Sequence, residues 1–220
     1  MIIKFKTIFS VCTLLVIGLS QNATADLILT FSNDDGVTFG DNLEITDGQT
    51  GVVSIYLAQT DPTTLLSVDG LTGFGLSVDL ESTGAGTLVS SEVDSAFDFV
   101  QTEEFTETTA LLDAAAFFNS TPVASMVRLG SFEFSATRQG TATLSIGDIR
   151  PGDTSADVNW LSGTGAELDQ LVFGSGSANR FDLTLSVVPV PEPGYCTTIA
   201  LLFGSLSTLS MRRKRIYHCS

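Results

Sequence analysis

The central part of this 220-residue sequence predicts an all-β fold: a β-sandwich or jelly roll, flanked by an N-terminal export signal and a C-terminal hydrophobic helix. Three observations carry the prediction. Large apolar residues recur at every second position in one run after another, as in strands buried on one face. Clusters of Gly, Asp, Asn and Pro separate those runs, and each supplies a residue suited to a turn. The spacing leaves room for roughly eight to ten short strands, the pattern of a sandwich and not of βα units.

The chain starts with Lys4 and Lys6, then an apolar run over residues 8–19, then Ala23-Thr24-Ala25. A charged start, an apolar stretch too short to span a bilayer and a small-residue site make a signal peptide over residues 1–25, with Ala23 and Ala25 as the cleavage site for signal peptidase. The exported body is then residues 26–188.

Within it, Val53, Ile55 and Leu57 share one strand face. Phe74, Leu76, Val78 and Leu80 form a second such face, separated from the first by Asp61-Pro62. The stretch TTALLDAAAFF (residues 108–118) is undecided, because its alanines favour helix while its phenylalanines allow strand. In VRLGSFEFSA the apolar phase shifts, Val127 and Leu129 being odd and Phe132 and Phe134 even. A β-bulge at Gly130-Ser131 restores a single buried face. After Arg138-Gln139-Gly140 come Ala142, Leu144 and Ile146, and the last run is Phe181, Leu183, Leu185 and Val187.

Composition excludes several chemistries. All 25 acidic residues lie between Asp26 and Glu192, and that span holds only Arg128, Arg138, Arg150 and Arg180 as bases, leaving −21. Such a surface repels phosphate, so nucleic acid is not an expected partner. The body also lacks Lys, Cys and His, since Cys12, Cys196, Cys219 and His218 all lie in the ends. That removes a Ser-His-Asp triad, a Cys nucleophile, a Schiff base and a zinc site of the His or Cys kind. Without disulfides, the exported fold depends on its core alone.

Carboxylate chemistry is what remains. Asp98, Glu103, Glu104 and Glu107 could pair for glycoside hydrolysis, but a solvated acidic edge explains them better. For calcium, which takes 6–8 oxygen ligands, the candidates are Asn33-Asp34-Asp35, Asp41-Asn42-Glu44, and Asp148 with Asp153 and Asp157. None has EF-hand spacing, and turn-forming Asp and Asn account for the same residues. Trp160 and Tyr56 are the candidate sugar contacts, on condition that both are exposed, with core placement the competing reading. Gly163-Thr164-Gly165 and Gly174-Ser175-Gly176 read as turns, not phosphate loops.

Residues 189–215 form a separate unit. Pro191-Glu192-Pro193 precedes an apolar run over residues 195–211, six of whose 17 residues are Ser or Thr, and then Arg212-Arg213-Lys214-Arg215. As a helix the run is about 25 Å long against a hydrocarbon core of about 30 Å, a marginal anchor held by the basic cluster on the cytoplasmic side. This order (motif 190–193, helix, basic end) resembles the PEP-CTERM sorting signal of Gram-negative bacteria. The resemblance implies recognition of Pro191, Glu192 and Pro193 by exosortase, an integral-membrane cysteine transpeptidase.

The body more loosely resembles the cohesin-like β-sandwich related to carbohydrate-binding modules. The stretches that carry this are GVVSIYLAQT, LTGFGLSVDL, VRLGSFEFSATRQGTATLSIGD and ELDQLVFG. Together these readings lead to a non-enzymatic protein exported to the cell envelope, cell surface or extracellular matrix, with a structural or adhesive role. The alternatives are a polysaccharide-binding module and, behind it, a carboxylate glycosidase.

Overall fold

The structure, a computed structural model, describes residues 27–60, 65–82, 84–116, 125–151, 159–174 and 179–190. Eleven strands are formed among them. They are β1 (Leu27–Ser32), β2 (Asn42–Thr46), β3 (Thr50–Gln59), β4 (Leu71–Leu80), β5 (Gly86–Val93), β6 (Phe99–Phe105), β7 (Thr109–Ala115), β8 (Met126–Ala136), β9 (Gly140–Asp148), β10 (Leu161–Ser162) and β11 (Phe181–Val188). A π-helical turn at Leu65–Asp69 and a short helix α1 (Asp169–Phe173) join them.

The strands form two sheets. One has the order β1-β3-β8-β5, and the other β2-β11-β9-β4-β7-β6, with the short β10 beside β4. All pairings among the described residues are antiparallel except β11 with β2, where Leu185 stands opposite Leu43. One apolar cluster joins the sheets. Val53, Ile55, Leu57, Phe132 and Phe134 come from the first, and Leu76, Val78, Leu112, Leu144 and Leu183 from the second. These are the alternating faces the sequence predicts, and the body is a β-sandwich.

The undecided stretch at 108–118 is a strand where it is described. β7 lies between β4 and β6, and those two ladders satisfy its backbone on both sides. Tertiary pairing here overrides the helix preference of alanine. Ala110, Leu112 and Ala114 turn to the core. Phe117 and Phe118 lie outside the described residues.

The phase shift in β8 is also resolved by a bulge. Ile55 pairs with Gly130 but Tyr56 pairs with Arg128, which leaves Leu129 as the extra residue. The bulge therefore sits about one position before the Gly130-Ser131 expected from the phase, and both Leu129 and Phe132 are buried. Gly130 is required by its neighbour strand, because a Cβ there would stand 2.5 Å from the Glu92 carbonyl oxygen.

Three of the body's arginines tie the solvent side together. Arg128 Nη1 meets Asp94 Oδ2 at 3.0 Å, and Arg150 Nη2 meets Asp113 Oδ2 at 2.9 Å. Arg180 pairs with Asp79, and its Nε donates to Ser145 Oγ at 2.7 Å. Arg180 thus spans from the start of β11 across β9 to β4, lying over Gly147, where a Cβ would come within 3.1 Å of its Cζ.

Candidate functional site

Four buried polar side chains, Asp113, Asp148, Asn159 and Asp169, gather where β4, β7 and β9 meet the segment that follows residue 158. Two glycines on β4 prepare the place. A Cβ on Gly75 would stand 1.9 Å from the Asn159 side-chain amide and 2.5 Å from Ile149 Cγ2. One on Gly73 would approach the Asn159 carbonyl oxygen at 3.2 Å. With hydrogens in place of side chains, the chain at Asn159 and Trp160 lies directly on the strand. Trp160 Nε1 then donates to the Gly75 carbonyl at 2.9 Å, which satisfies the one polar atom of a fully buried ring. Phe173 meets the indole edge-on, ring centroids 5.4 Å apart.

Asp169 is carried back to this point by the turn after β10. Ser162 N donates to the Ala166 carbonyl at 2.9 Å, Gly165 takes a φ of 79°, and Leu168 N donates to the Trp160 carbonyl at 2.9 Å. Asp169 is 5 % exposed, and one of its oxygens, Oδ2, is buried with no hydrogen-bond partner among the described residues. Burial pushes its carboxyl above the ordinary range, with the backbone N–H groups of Asp169, Asn159 and Trp160 pulling down and Asp148 pushing further up.

Asp148 ends β9, and its Oδ1 accepts from Arg150 N at 3.1 Å, closing a turn on itself. Between Asp148 and Asp169 stands Asn159, 9 % exposed. The tip of its amide lies 3.2 Å from Asp148 Oδ1 and 3.1 Å from Asp169 Oδ1. On the other side of β4, Asp113 of β7 stands opposite Gly75 and is 1 % exposed. Its carboxyl is also raised, chiefly by burial, against the pull of Arg150. A cleft of about 320 Å³ opens over this region, lined by Thr72, Gly73, Arg150, Asn159 and Leu161 among others.

The sequence candidates fare unevenly. Asp34 is consumed by its own loop. Ser32 Oγ, Val37 N and Thr38 N donate to its Oδ1 at 2.7, 3.1 and 2.8 Å, and Thr38 Oγ1 donates to Oδ2 at 2.7 Å. Those donors, Thr38 foremost, lower its pKa to about 2. Asp35, with a φ of 55°, and Asp41 are both exposed, and Asn33 Nδ2 donates to the Glu44 carbonyl at 2.8 Å. Among the described residues no three His, Cys, Asp or Glu side chains gather as an ion site. Asp153 and Asp157 lie outside the described residues, as do Ala23, Ala25, Pro191, Glu192, Pro193, Arg212, Arg213, Lys214 and Arg215. Asp98, Glu104 and Glu107 are exposed, at the acidic edge the sequence predicts.

The sugar-contact expectation is corrected for Trp160. Its ring is 0 % exposed and anchors the core end of the site, because its large apolar surface gains more from burial than its single N–H loses. Tyr56 is half-buried on the first sheet, edge-on to Phe39 at a centroid distance of 5.2 Å, and shares no platform with Trp160. Three residues of the site, Asp113, Asn159 and Asp169, escaped the sequence reading. A lone carboxylate in the small apolar run Leu-Leu-Asp-Ala-Ala-Ala is a usable signal for the first, since burial there demands a partner.

No protein-family model matches the chain, and no curated protein matches it. Several solved structures do. The sixth cohesin of scaffoldin B from Acetivibrio cellulolyticus, solved in complex with a Cel5 dockerin, is 10% identical with a TM-score of 0.47, over 74% of this chain and 99% of that one. A type III cohesin module from the cell-surface anchoring scaffoldin of Ruminococcus flavefaciens is 10% identical with a TM-score of 0.46, over 74% and 87% of the two chains. A cohesin module from a Clostridium perfringens family 33 glycoside hydrolase is 10% identical with a TM-score of 0.42, over 76% and 100%. The likeness is one of fold, and no residue of theirs is carried over to this chain.

Among the described residues no helix is long and apolar enough to cross a membrane.

Proposed function

We propose that this chain is a non-enzymatic module exported by its N-terminal signal and sorted by its C-terminal segment to the cell surface or the extracellular matrix, where it has a structural or adhesive role. The observation that carries the reading is the order of Pro191-Glu192-Pro193, the apolar run over 195–211 and the basic cluster Arg212 to Arg215. The place where the sandwich ends supports it. β11 runs to Val188, whose carbonyl accepts from Asp47 N at 2.8 Å, so the folded domain closes within three residues of Pro191. An exosortase-type transpeptidase would then recognise Pro191, Glu192 and Pro193, whose prolines disfavour helix. Processing leaves the body intact on the outer side and removes or exchanges the marginal anchor.

Deleting Pro191 to Pro193 from the full chain in its host, or removing the host exosortase, tests this directly. The expected product is an unprocessed form held in the inner membrane, with its C-terminal segment intact by mass. Unchanged processing and unchanged location in both strains would overturn the sorting assignment.

A further inference from the structure

We infer that the free edge of β1 is a strand-addition site for an extended segment of another protein, with apolar and basic side chains alternating along it. The terminal strands are β1 and β5 in the first sheet and β2 and β6 in the second. Three of them carry devices that keep a sheet edge from pairing with another chain. β5 is bulged at Val89 and β6 at Gln101, and β6 also exposes Glu104. On β2, the Glu44 carbonyl is already taken by Asn33 Nδ2. β1 has none of these. Its run Leu-Ile-Leu-Thr-Phe-Ser holds no charge and no proline, and it pairs with β3 without a break in register.

Two hydrogen bonds fix which way the β1 backbone faces. Gly40 N donates to the Phe31 carbonyl at 3.0 Å, and Gln59 N, opposite Leu27, donates away from β1 to the Ser125 carbonyl at 2.8 Å. Leu27, Leu29 and Phe31 are therefore at the non-hydrogen-bonded positions of the ladder, and the N–H and C=O of Leu29 point away from β3. They have no backbone partner among the described residues. β11 leaves a second gap nearby. Thr184 N donates to the Asp41 carbonyl at 2.8 Å and β2 begins at Asn42, so the N–H and C=O of Asp182 point past the start of β2. A groove of about 560 Å³ is lined by both edges. Backbone groups so placed call for partners, and an added strand supplies donors and acceptors in register.

The lining of the groove selects the occupant. Ile28, Leu29, Phe31 and Phe181 give it apolar walls, and Asp41 and Asp182, both exposed, add two carboxylates. The cation in the lining, Arg180, is already paired with Asp79. An added strand turns alternate side chains to opposite faces. Its apolar side chains then meet the walls while its basic ones reach Asp41 and Asp182. The strong negative charge of the body draws such a segment in and repels a second copy of this chain. The inference is independent of how the chain is sorted.

The probe is a capped peptide of alternating lysine and valine, added to the full chain purified from its host, with amide exchange followed by NMR. At peptide about tenfold above its dissociation constant, exchange at Leu29 should slow about tenfold, while the edges of β5 and β6 keep their rates. Asp41→Asn combined with Asp182→Asn should weaken binding about tenfold at low salt. The same peptide methylated at every main-chain nitrogen keeps its charges and loses its donors, and it should bind at least about tenfold more weakly. Equal binding by the methylated peptide would mean charge attraction alone and overturns the proposal. Absence of binding, protection at β5 or β6 in place of β1, or undiminished affinity in the double variant does the same. A chain that dimerises without peptide and protects Leu29 overturns it in favour of a second copy as the occupant.

Discussion

Replacing Arg150 with alanine isolates the charge that pairs with Asp113 inside the second sheet. The guanidinium Nη2 stands 2.9 Å from Asp113 Oδ2, and the two side chains differ sharply in exposure, 43% for Arg150 and 1% for Asp113. Removing one partner of a fully buried ion pair costs about 3–5 kcal/mol, because the other charge is stranded. Exposed pairs contribute about 0–1 kcal/mol. With one partner buried and the other nearly half in water, the expected loss is about 2 kcal/mol, between those limits. For a domain of this size that lowers the melting temperature by about 4–8 °C. Chemical denaturation of four chains (parent, Arg150→Ala, Asp113→Asn and the double variant) measures it as a cycle. In the Asp113→Asn background there is no charge to strand, so Arg150→Ala should there cost less than about 1 kcal/mol. If the loss of about 2 kcal/mol persists unchanged in that background, the arginine acts through the packing of its aliphatic stem and the electrostatic reasoning is wrong.

Two further outcomes follow from the loops and the bulge. Asp34 should titrate near pH 2 when followed by NMR. Because its pKa is depressed in the folded state, its contribution to stability is present above about pH 4, the unfolded value, and is lost as pH falls through about 2. A midpoint at the ordinary aspartate value would mean that the four donors of its loop are not engaged in solution. Gly130→Ala places a Cβ against the Glu92 carbonyl, a backbone atom that cannot rotate away, and should cost about 1–3 kcal/mol by urea denaturation. An unchanged midpoint would show that β5 and β8 separate more easily than their register implies.

Much of the sandwich is legible along the chain because each strand carries its own period. Val53-Ile55-Leu57 and Phe74 to Leu80 declare their buried faces without reference to any partner. Even the bulge in β8 is written locally, as a change of phase between Leu129 and Phe132. What is not written locally is who pairs with whom. The parallel contact of β11 with β2 joins residues some 140 positions apart, Thr184 with Asn42, and no alternation encodes it. Segment 108–118 shows the same limit, since β4 and β6 decide its conformation. The buried polar site fails for a related reason. Asp148 stands out as a carboxylate near others in sequence, but Asp113 and Asp169 join it only through Gly75 and the turn at Gly165, which bring distant strands and loops into contact. Trp160 leaves both readings open in sequence because a lone aromatic beside polar residues has the same signature whether it faces a ligand or caps a core, and its full burial decides for the core.

The position of β11 has a mechanical consequence. It lies inside its sheet, with β9 on one side and β2 on the other, and the strand ends at Val188. A tether beyond that residue pulls β11 lengthwise, so both ladders are loaded in shear and must yield together, whereas an edge strand peeled sideways gives up its hydrogen bonds one at a time. If the proposed surface role holds, tension from a cell surface or a matrix would enter this domain along a strand paired on both sides.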